Sequence, residues 1–423
     1  MSDRVKLVIV GGGAAGLLIA MKLAKTRGIE MTLIDYKTFY EYTPALCSVL
    51  FEKTDESFVQ HFKSITFDYE PYLTKLGVKF VLGKVKSIQS DEISLMDKAE
   101  PIQFDYAVIC TGSSYAEPWK TMTPEETKPS LSVNERFEYL SQQRQRYKQA
   151  QDILCIGGGP VGVETVMEIA YRSPTKSLTL IDTKPIVLSS APGHLGSYAQ
   201  KILQSKPSIR LINEEKSEKV DNSNSSNNNN NNNNKSIYVT DKTRTRLEAD
   251  LVYNCIGVTP NSNFIDPSWL DDKKQVRVNE FFQVTSVADG NVYALGDVSS
   301  IEDPKMFYTA HIQAVHFANN MQRILKSEGE GRQRHKTLLP YHGVRPNMVV
   351  SMGPTHAVAH VNGLNLTGWP ICEKEGSRIA AWTKHCIERI TMNDFGLKVP
   401  ANTLLYYTQE KSFGGILGHK HSS

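Results

Sequence analysis

Two apolar runs of similar design predict the two main folding units of this chain. Residues 5–20 read VKLVIVGGGAAGLLIA, and residues 153–170 read ILCIGGGPVGVETVMEIA. In each run a short apolar segment leads into a glycine cluster, and a helical pattern of apolar positions follows. A buried strand, a tight glycine turn and a helix in this order are typical of a nucleotide-binding βαβ unit. The pattern therefore predicts an α/β protein with two Rossmann-like folds.

The spacing of the two units indicates how the chain is divided. At 423 residues the chain is too long for one compact core. We assign residues 1–120 and 265–335 to a first, discontinuous dinucleotide-binding domain and residues 121–264 to a second one. Residues 336–423 then form a smaller α+β C-terminal domain.

Two polar segments interrupt the apolar patterns. Residues 115–150 are polar and helical in character, which predicts a connection into the second domain. Residues 221–236 contain eight consecutive asparagines and have few apolar side chains to bury. We expect this asparagine-rich tract to be a disordered insertion in a surface hairpin.

The first glycine cluster has the spacing of a dinucleotide fingerprint, G-x-G-x-x-G. Its residues are Gly11, Gly12, Gly13, Ala14, Ala15 and Gly16. The first glycine makes the turn, the second admits a pyrophosphate, and the third lets helix and strand pack closely. The following strand ends at Asp35, 19 residues past Gly16, where an acid accepts hydrogen bonds from an adenosine ribose.

The second glycine cluster repeats the fingerprint and has its own acid. Its residues are Gly157, Gly158, Gly159, Pro160, Val161 and Gly162. Asp182 follows 20 residues past Gly162, and an acid there binds a 2′-hydroxyl and repels a 2′-phosphate. This favours NADH over NADPH, although Lys184 nearby weakens the preference. The strand that begins at Leu251 leads to Gly257 and closes the fold.

Two further strands end in polar residues that complete the first pocket. The strand that begins at Phe104 leads into Thr111 and Gly112, and the strand that begins at Asn291 leads into Asp297. A short acid at the carboxyl end of a strand suits a polyol ligand, and it can also cap the helix that follows.

Together these motifs resemble the pyridine-nucleotide reductase superfamily. Within it the chain is most similar to apoptosis-inducing-factor homologues of the ferroptosis-suppressor branch, and more remotely to type II NADH dehydrogenases. The segments that carry the resemblance are residues 38–50, 292–306 and 351–363. The resemblance implies FAD in the first fold, NADH or NADPH in the second, and hydride transfer between them. It thereby implies an FAD-dependent NAD(P)H oxidoreductase.

The resemblance also assigns binding residues. The implied FAD contacts are the first fingerprint, Asp35, Lys37, Pro44, Val85, Thr111, Gly112, Asp297, Lys305 and Met306. The implied nicotinamide dinucleotide contacts are Gly157, Gly159, Pro160, Val161, Gly162, Asp182 and Gly257. Glu164 is the candidate for orienting the nicotinamide, and a bare acid on a helix surface is the alternative. The branch often carries an arginine where this chain has Cys47.

The segment after Asp297 predicts a helix whose start faces the flavin. Residues 304–308 read PKMFY, and a helical pattern follows. The positive end of such a helix favours the negative charge of a reduced flavin by about 0.3–1 kcal/mol. Lys305 either adds a full charge there or is a solvated surface lysine.

Charge and cysteine content narrow the possible partners. The 48 basic and 45 acidic residues give a net charge of +3 with no basic block, which argues against nucleic acid as a partner. The six cysteines include no CxxC pair, so a catalytic dithiol is not expected, and a quinone or another diffusible electron acceptor is favoured. The histidines lack the spacing of a metal site, and we predict none.

The hydrophobic pattern also bears on location. No stretch reaches about 18 uninterrupted apolar residues, and three glycines interrupt the apolar N-terminal run, so neither a membrane span nor a signal peptide is predicted. The start Met-Ser-Asp lacks a lipidation glycine. We expect a cytoplasmic protein. Peripheral contact with a membrane or a lipid droplet surface stays open, and so does a homodimer. Residues 404–407 read LLYY and are either a lipid contact or a core strand.

A second function from another class is also open at this point. In it the protein is a signalling or cell-death effector, with the flavin as a conformational switch. Salt-dependent DNA binding would distinguish this function from the enzyme.

Overall fold

The computed structural model describes residues 4–120, 130–220, 235–329, 338–344, 347–361, 363–366 and 374–395. In chain order the strands are β1 Val5–Val10, β2 Ile29–Asp35, β3 Phe39–Glu41, β4 Thr66–Asp68, β5 Lys79–Leu82, β6 Val85–Ile88, β7 Glu92–Leu95, β8 Ile102–Gln103, β9 Tyr106–Ile109, β10 Ser113–Ser114, β11 Asp152–Ile156, β12 Ser177–Ile181, β13 Ile209–Ile212, β14 Ser217–Lys219, β15 Ser236–Thr240, β16 Arg246–Ala249, β17 Leu251–Asn254, β18 Thr259–Pro260, β19 Val292–Ala294, β20 Met348–Ser351, β21 Ala357–Val361 and β22 Leu364–Leu366. The helices are α1 Ala14–Leu23, α2 Leu46–Val49, α3 Asp55–Ser64, α4 Tyr69–Lys75, α5 Val133–Gln149, α6 Pro160–Arg172, α7 Leu195–Gln204, α8 Phe307–Gly329 and α9 Arg378–Phe395.

The first sheet is parallel throughout, with strand order β19-β9-β1-β2-β5. Strand β1 is buried on both faces. Alternate side chains point to opposite sides of a strand, so successive residues of β1 pack into different apolar clusters. Leu7 and Ile9 join one apolar cluster with α1 and α8, while Val8 and Val10 join another. The near-continuous apolar run in the sequence thus results from a sheet that is covered on both sides.

The second sheet repeats the arrangement with strand order β13-β12-β11-β17. Helices α6 and α7 pack on one face, and the antiparallel sheet β14-β15-β16 packs on the other through Leu247 and Ala249. These two parallel sheets confirm the predicted α/β fold. Strands β14 and β15 pair on either side of the asparagine-rich tract, as a hairpin requires, and residues 221–234 lie outside the described residues.

The chain passes between the two folds at one antiparallel pair of strands. Strand β10 leads towards the second fold, strand β18 leads back, and Ser113 pairs with Pro260. These crossings lie near the predicted domain boundaries, which themselves stay predictions. The polar connection forms helix α5, which starts at a capping box between Ser132 and Glu135.

A third, antiparallel sheet β20-β21-β22 carries α9 and forms the predicted C-terminal α+β unit. Strand β20 packs on α6 and strand β21 on α7, so this unit sits against the second fold. Among the helices of the described ranges, none combines the length and apolar character needed to cross a bilayer. The predicted LLYY contact at 404–407 lies outside these ranges.

Candidate dinucleotide sites and the cleft between them

The first glycine turn is shaped by close backbone contacts. Gly11 has φ +99°, and a Cβ there would lie 2.7 Å from the carbonyl oxygen of Cys110. A Cβ on Gly16 would lie 1.9 Å from the carbonyl oxygen of Gly11, so helix α1 approaches the turn only because Gly16 has no side chain. Gly13 caps α1 and faces open space. The start of α1 is therefore free to receive an anion.

Asp35 holds this turn in place. Its Oδ2 accepts a hydrogen bond from the Gly12 N–H at 2.6 Å, and its Oδ1 accepts one from the Lys37 N–H at 2.8 Å. The hydroxyl of buried Tyr69 donates to the Gly12 carbonyl oxygen at 2.6 Å. A carboxylate has about four lone-pair positions, so Asp35 keeps acceptor capacity for a ribose hydroxyl.

The second site repeats the contacts of the glycines and of the acid. Gly157 has φ +109°, and a Cβ on Gly162 would lie 1.9 Å from the carbonyl oxygen of Gly157. Asp182 Oδ2 accepts from the Gly158 N–H at 2.8 Å, and Oδ1 accepts from the Lys184 N–H at 3.1 Å. Both acids thus have a structural duty that the sequence analysis did not anticipate. Gly157 also lies against the loop that contains Gly257, which has φ +80°. Pro160 and Val161 form the first turn of α6.

Asp297 lies beside the crossing strands. Its Oδ2 accepts a hydrogen bond from Ser113 Oγ at 2.6 Å, and Lys120 Nζ lies 4.0 Å away. Lys120 also donates to the Ser113 carbonyl oxygen and lies beside Gly112, which has φ +66°. Burial lowers the pKa of Lys120 to about 8, although the charge of Asp297 opposes this. Thr111 Oγ1 donates to the Asn261 carbonyl oxygen at 2.8 Å.

Lys305 is bonded to backbone carbonyls and is not a solvated surface lysine, while its contribution of charge to a flavin stays a prediction. Its Nζ donates to the carbonyl oxygens of Ser299 at 2.7 Å and Ile301 at 3.1 Å, so it closes the loop after Asp297. Burial lowers the pKa of its ammonium. Helix α8 begins at Phe307 as predicted, and the Met306 carbonyl oxygen accepts the first hydrogen bond of its opening turn.

Two predicted flavin contacts lie on other elements. Val85 begins β6 and packs against the apolar cluster that contains Ile34. Pro44 lies in a short 3₁₀ turn, Thr43–Ala45, next to Tyr42. The Tyr42 ring contacts Phe307, with centroids 4.8 Å apart, which places the start of α8 beside this turn.

A cleft brings Pro44 of the first fold together with Glu164 of the second. We call it the central cleft; Tyr42, Cys47 and Glu168 also line it, and β20 and α9 contribute Ser351, Lys384, His385 and Glu388. Three separate parts of the chain therefore meet at this cleft, and two of them carry predicted site residues, Pro44 and Glu164. No sequence motif indicates the contribution of α9 to this cleft.

Glu164 is buried and paired, so it is not a bare acid on a helix surface. Its Oε1 accepts hydrogen bonds from the Ser351 N–H at 2.9 Å and from Lys384 Nζ. Lys384 also donates to Ser351 Oγ at 2.9 Å. Burial alone lowers the pKa of Lys384, but attraction to Glu164 outweighs it and raises the pKa, so the ammonium stays charged. No motif marks Lys384 in the sequence.

Cys47 lies in the central cleft as a buried thiol. Its Sγ is 4.0 Å from Thr165 Oγ1, the donor of a weak contact. Burial, and then the charge of Glu164, raise the pKa of Cys47 well above its usual range. A thiol that stays protonated is neither a nucleophile nor an electron acceptor. The five cysteines within the described ranges are all free.

The fold and these sites define the class of protein. Two parallel-sheet folds each carry a glycine fingerprint with a supporting acid, and the cleft between them is lined by both; this is the arrangement of an oxidoreductase that binds two dinucleotides. Residues 5–321 match the family described as pyridine nucleotide-disulphide oxidoreductase, and the chain belongs to this family. It is an FAD-dependent enzyme that uses NADH or NADPH.

Individual relatives agree with this assignment. The chain is 28% identical over 372 residues to ferroptosis suppressor protein 1 of Xenopus tropicalis, which covers 86% of this chain and 91% of that protein. It is 27% identical over 376 residues to apoptosis-inducing factor homolog B of Dictyostelium discoideum, covering 85% and 90%. The fold is similar to that of the sulfide:quinone oxidoreductase of Aquifex aeolicus, with a TM-score of 0.69 and 16% identity over 96% of this chain and 95% of that one. The predicted resemblance is confirmed.

Proposed function

We propose that this enzyme passes the electrons of NADH through FAD to a quinone in the central cleft. The observation that carries the proposal is that one cleft is lined by Pro44 of the first fold and Glu164 of the second. An acceptor at this cleft would adjoin the proposed sites of both cofactors. The solved structure of similar fold bears the name of a quinone-reducing enzyme, which supports a quinone as the acceptor class.

The residues of the first site fit FAD. Open space in front of Gly13 at the start of α1 suits the pyrophosphate, and the spare acceptor positions of Asp35 suit the adenosine ribose. Asp297, at the end of a parallel strand, suits the ribityl hydroxyls. We assign the remaining contacts to Lys37, Pro44, Val85, Thr111, Gly112, Lys305 and Met306, with the backbone of the last two closest to α8.

The second site fits NADH. The pyrophosphate takes the start of α6 at Gly159, and Asp182 takes the ribose. The carboxylate of Asp182 repels a 2′-phosphate, and the nearby Lys184 contributes its backbone N–H to that carboxylate. We therefore propose NADH as the preferred coenzyme.

The bound cofactors supply the hydride chemistry, and the side chains supply position and charge. Glu164 is then a positioning residue, because its pairing with Lys384 fixes α6 against α9 at the wall of the cleft. Lys120 and the start of α8 add positive potential near Asp297, which favours a negatively charged reduced flavin.

Disulfide reduction receives no support from the cleft. A disulfide reductase needs a reactive thiol beside the flavin, whereas the thiol of Cys47 is buried and stays protonated. Lys384 and Glu164 face this thiol but form an ion pair with each other. We therefore place the acceptor among diffusible molecules.

Rapid mixing under anaerobic conditions tests the proposal. NADH is expected to bleach the flavin absorbance of the holoenzyme, and a series of soluble quinones is expected to restore it faster than dioxygen or oxidised glutathione. Bleaching without acceleration by any quinone would refute the acceptor assignment. A flavin that NADH leaves oxidised would refute the whole proposal.

A further inference from the structure

His61 lies between two carboxylates away from the described cofactor sites. On α3, its Nδ1 is 2.9 Å from Glu52 Oε1, and its Nε2 is 3.3 Å from Glu388 Oε1 on α9. The side chains are 16–17% exposed. An imidazole with a carboxylate at each nitrogen holds a proton that it can pass in either direction.

This histidine stands between solvent and the central cleft. A groove between α3 and α9, here called the outer groove, is lined by Ser57, Gln60, His61, Glu388 and Arg389. Glu388 also lines the central cleft. A proton that His61 takes up from the outer groove can therefore pass to the carboxylate of Glu388, which faces the central cleft.

Quinone reduction requires such a proton. The balanced reaction is NADH + H⁺ + quinone → NAD⁺ + hydroquinone. The electron pair and one hydrogen come from NADH as hydride, and the second hydrogen comes from water as a proton. We propose that His61 and Glu388 deliver this proton from the outer groove to the quinone oxygen in the central cleft. This inference rests on the proposed function.

A second chain of charges leads from His61 to the cleft but carries no proton. Arg172 Nη1 lies 2.8 Å from Glu52 Oε2, and its Nε lies 2.7 Å from Glu168 Oε2, which lines the cleft. A guanidinium does not give up a proton in a protein. Glu52 is therefore an electrostatic partner, and Glu388 is the route.

The surrounding charges suit this role. Burial by itself lowers the pKa of His61, but hydrogen bonds and charges from Glu388 and Glu52 outweigh it and raise the pKa to about 9. Burial alone raises the pKa of Glu52, but the bonds from His61 and Arg172 lower it to about 2. On α9, Arg389 also faces the outer groove, and His385, like Glu388, lines both the outer groove and the central cleft. His61 is therefore protonated at neutral pH and is recharged from the groove after each transfer.

The test compares acceptors that differ in their need for a proton. Quinone reduction consumes protons, whereas reduction of ferricyanide transfers single electrons alone. We expect Glu388→Gln and His61→Gln holoenzymes to lose about tenfold or more in the ratio of the quinone rate to the ferricyanide rate. Glu375→Gln is the matched control, since Glu375 pairs with Lys206 at 2.6 Å outside the central cleft, and its ratio is expected to stay at the wild-type value.

A measurement without turnover accompanies the rates. Nitrogen-15 NMR of the labelled histidines should show that His61 titrates near pH 9 in the wild type and at lower pH in Glu388→Gln, and it also reports whether each variant is folded. Unchanged rate ratios in folded variants, or an unchanged His61 midpoint, would overturn the relay while leaving the proposed function intact. A wild type that reduces ferricyanide but no quinone would overturn both.

Discussion

At the scale of single residues, the two acids that follow the glycine fingerprints act in the same way. Asp35 and Asp182 each accept a hydrogen bond from the second glycine of their own turn and from a backbone N–H two residues on. Each acid therefore shapes the glycine loop of its own fold, and in the proposed function it also offers oxygen atoms to a ribose. A substitution can remove the negative charge of either acid while keeping an oxygen that accepts these hydrogen bonds, so the two effects can be separated.

Asp182→Asn is expected to relax the choice between coenzymes. Asparagine keeps an oxygen that can accept from the Gly158 N–H, but it removes the charge that repels a 2′-phosphate. We expect the ratio of kcat/KM for NADPH to that for NADH to rise about tenfold, equivalent to about 1.4 kcal/mol. Steady-state rates with both coenzymes measure it.

The equivalent change in the first fold is the control for this prediction. Asp35→Asn alters an acid with matching backbone contacts. It should weaken the binding of FAD without changing the ratio of kcat/KM for NADPH to that for NADH. An unchanged ratio in Asp182→Asn would show that this acid does not select the coenzyme.

At the scale of elements, the ionic contact between α3 and α9 makes stability depend on pH. The pKa of His61 is about 9 in the folded protein, against 6.5 as its ordinary value. Its contribution is therefore fully present below pH 6.5 and is lost as the pH rises through 9. We expect the free energy of unfolding to fall by about 3 kcal/mol across this interval.

Urea unfolding at several pH values measures this slope. His61→Gln should be less stable than the wild type at pH 6.5 and should show a flatter dependence on pH up to 9. His194→Gln is the control, because His194 is exposed before α7 and makes no side-chain cap there. Equal slopes in the wild type and His61→Gln would contradict the assignment of this pKa.

At the scale of the whole molecule, α5 holds the two folds together. Arg136 on α5 bonds Glu41 of β3 at 2.8 Å, and both side chains are 1% exposed. Near the other end of the helix, the Tyr147 hydroxyl lies 2.7 Å from Ser173 Oγ at the end of α6. Helix α5 is therefore packed between the folds, and a buried ion pair lies at one end of it.

Removing only one partner of this ion pair should lower the free energy of unfolding more than replacing both partners. Arg136→Met leaves the Glu41 carboxylate buried without its partner, and we expect a loss of about 3–5 kcal/mol in the free energy of unfolding. The double change with Glu41→Gln should recover most of that loss, because no uncompensated charge remains. Urea unfolding followed by circular dichroism measures both variants. Equal stability of the single variant and the wild type would show that the charge of Glu41 is satisfied elsewhere.

The sequence by itself determined the features that depend on neighbouring residues. A glycine turn between a strand and a helix needs close contacts within about a dozen residues. The motifs Gly11–Gly16 and Gly157–Gly162 could therefore be recognised in the sequence, and they predicted two parallel sheets. The same holds for the start of α8, which follows directly from residues 304–308. The family resemblance added binding residues such as Pro44 and Lys305, whose cofactor roles stay predictions.

Only the tertiary structure decided which distant side chains share one environment. Lys384 reaches Glu164, and Glu388 reaches His61, across more than 200 residues of chain, because the C-terminal sheet packs on the second fold and carries α9 to the cleft. No local pattern encodes such contacts. Burial and charged neighbours set the ionisation of these groups, and both arise only when the elements have packed.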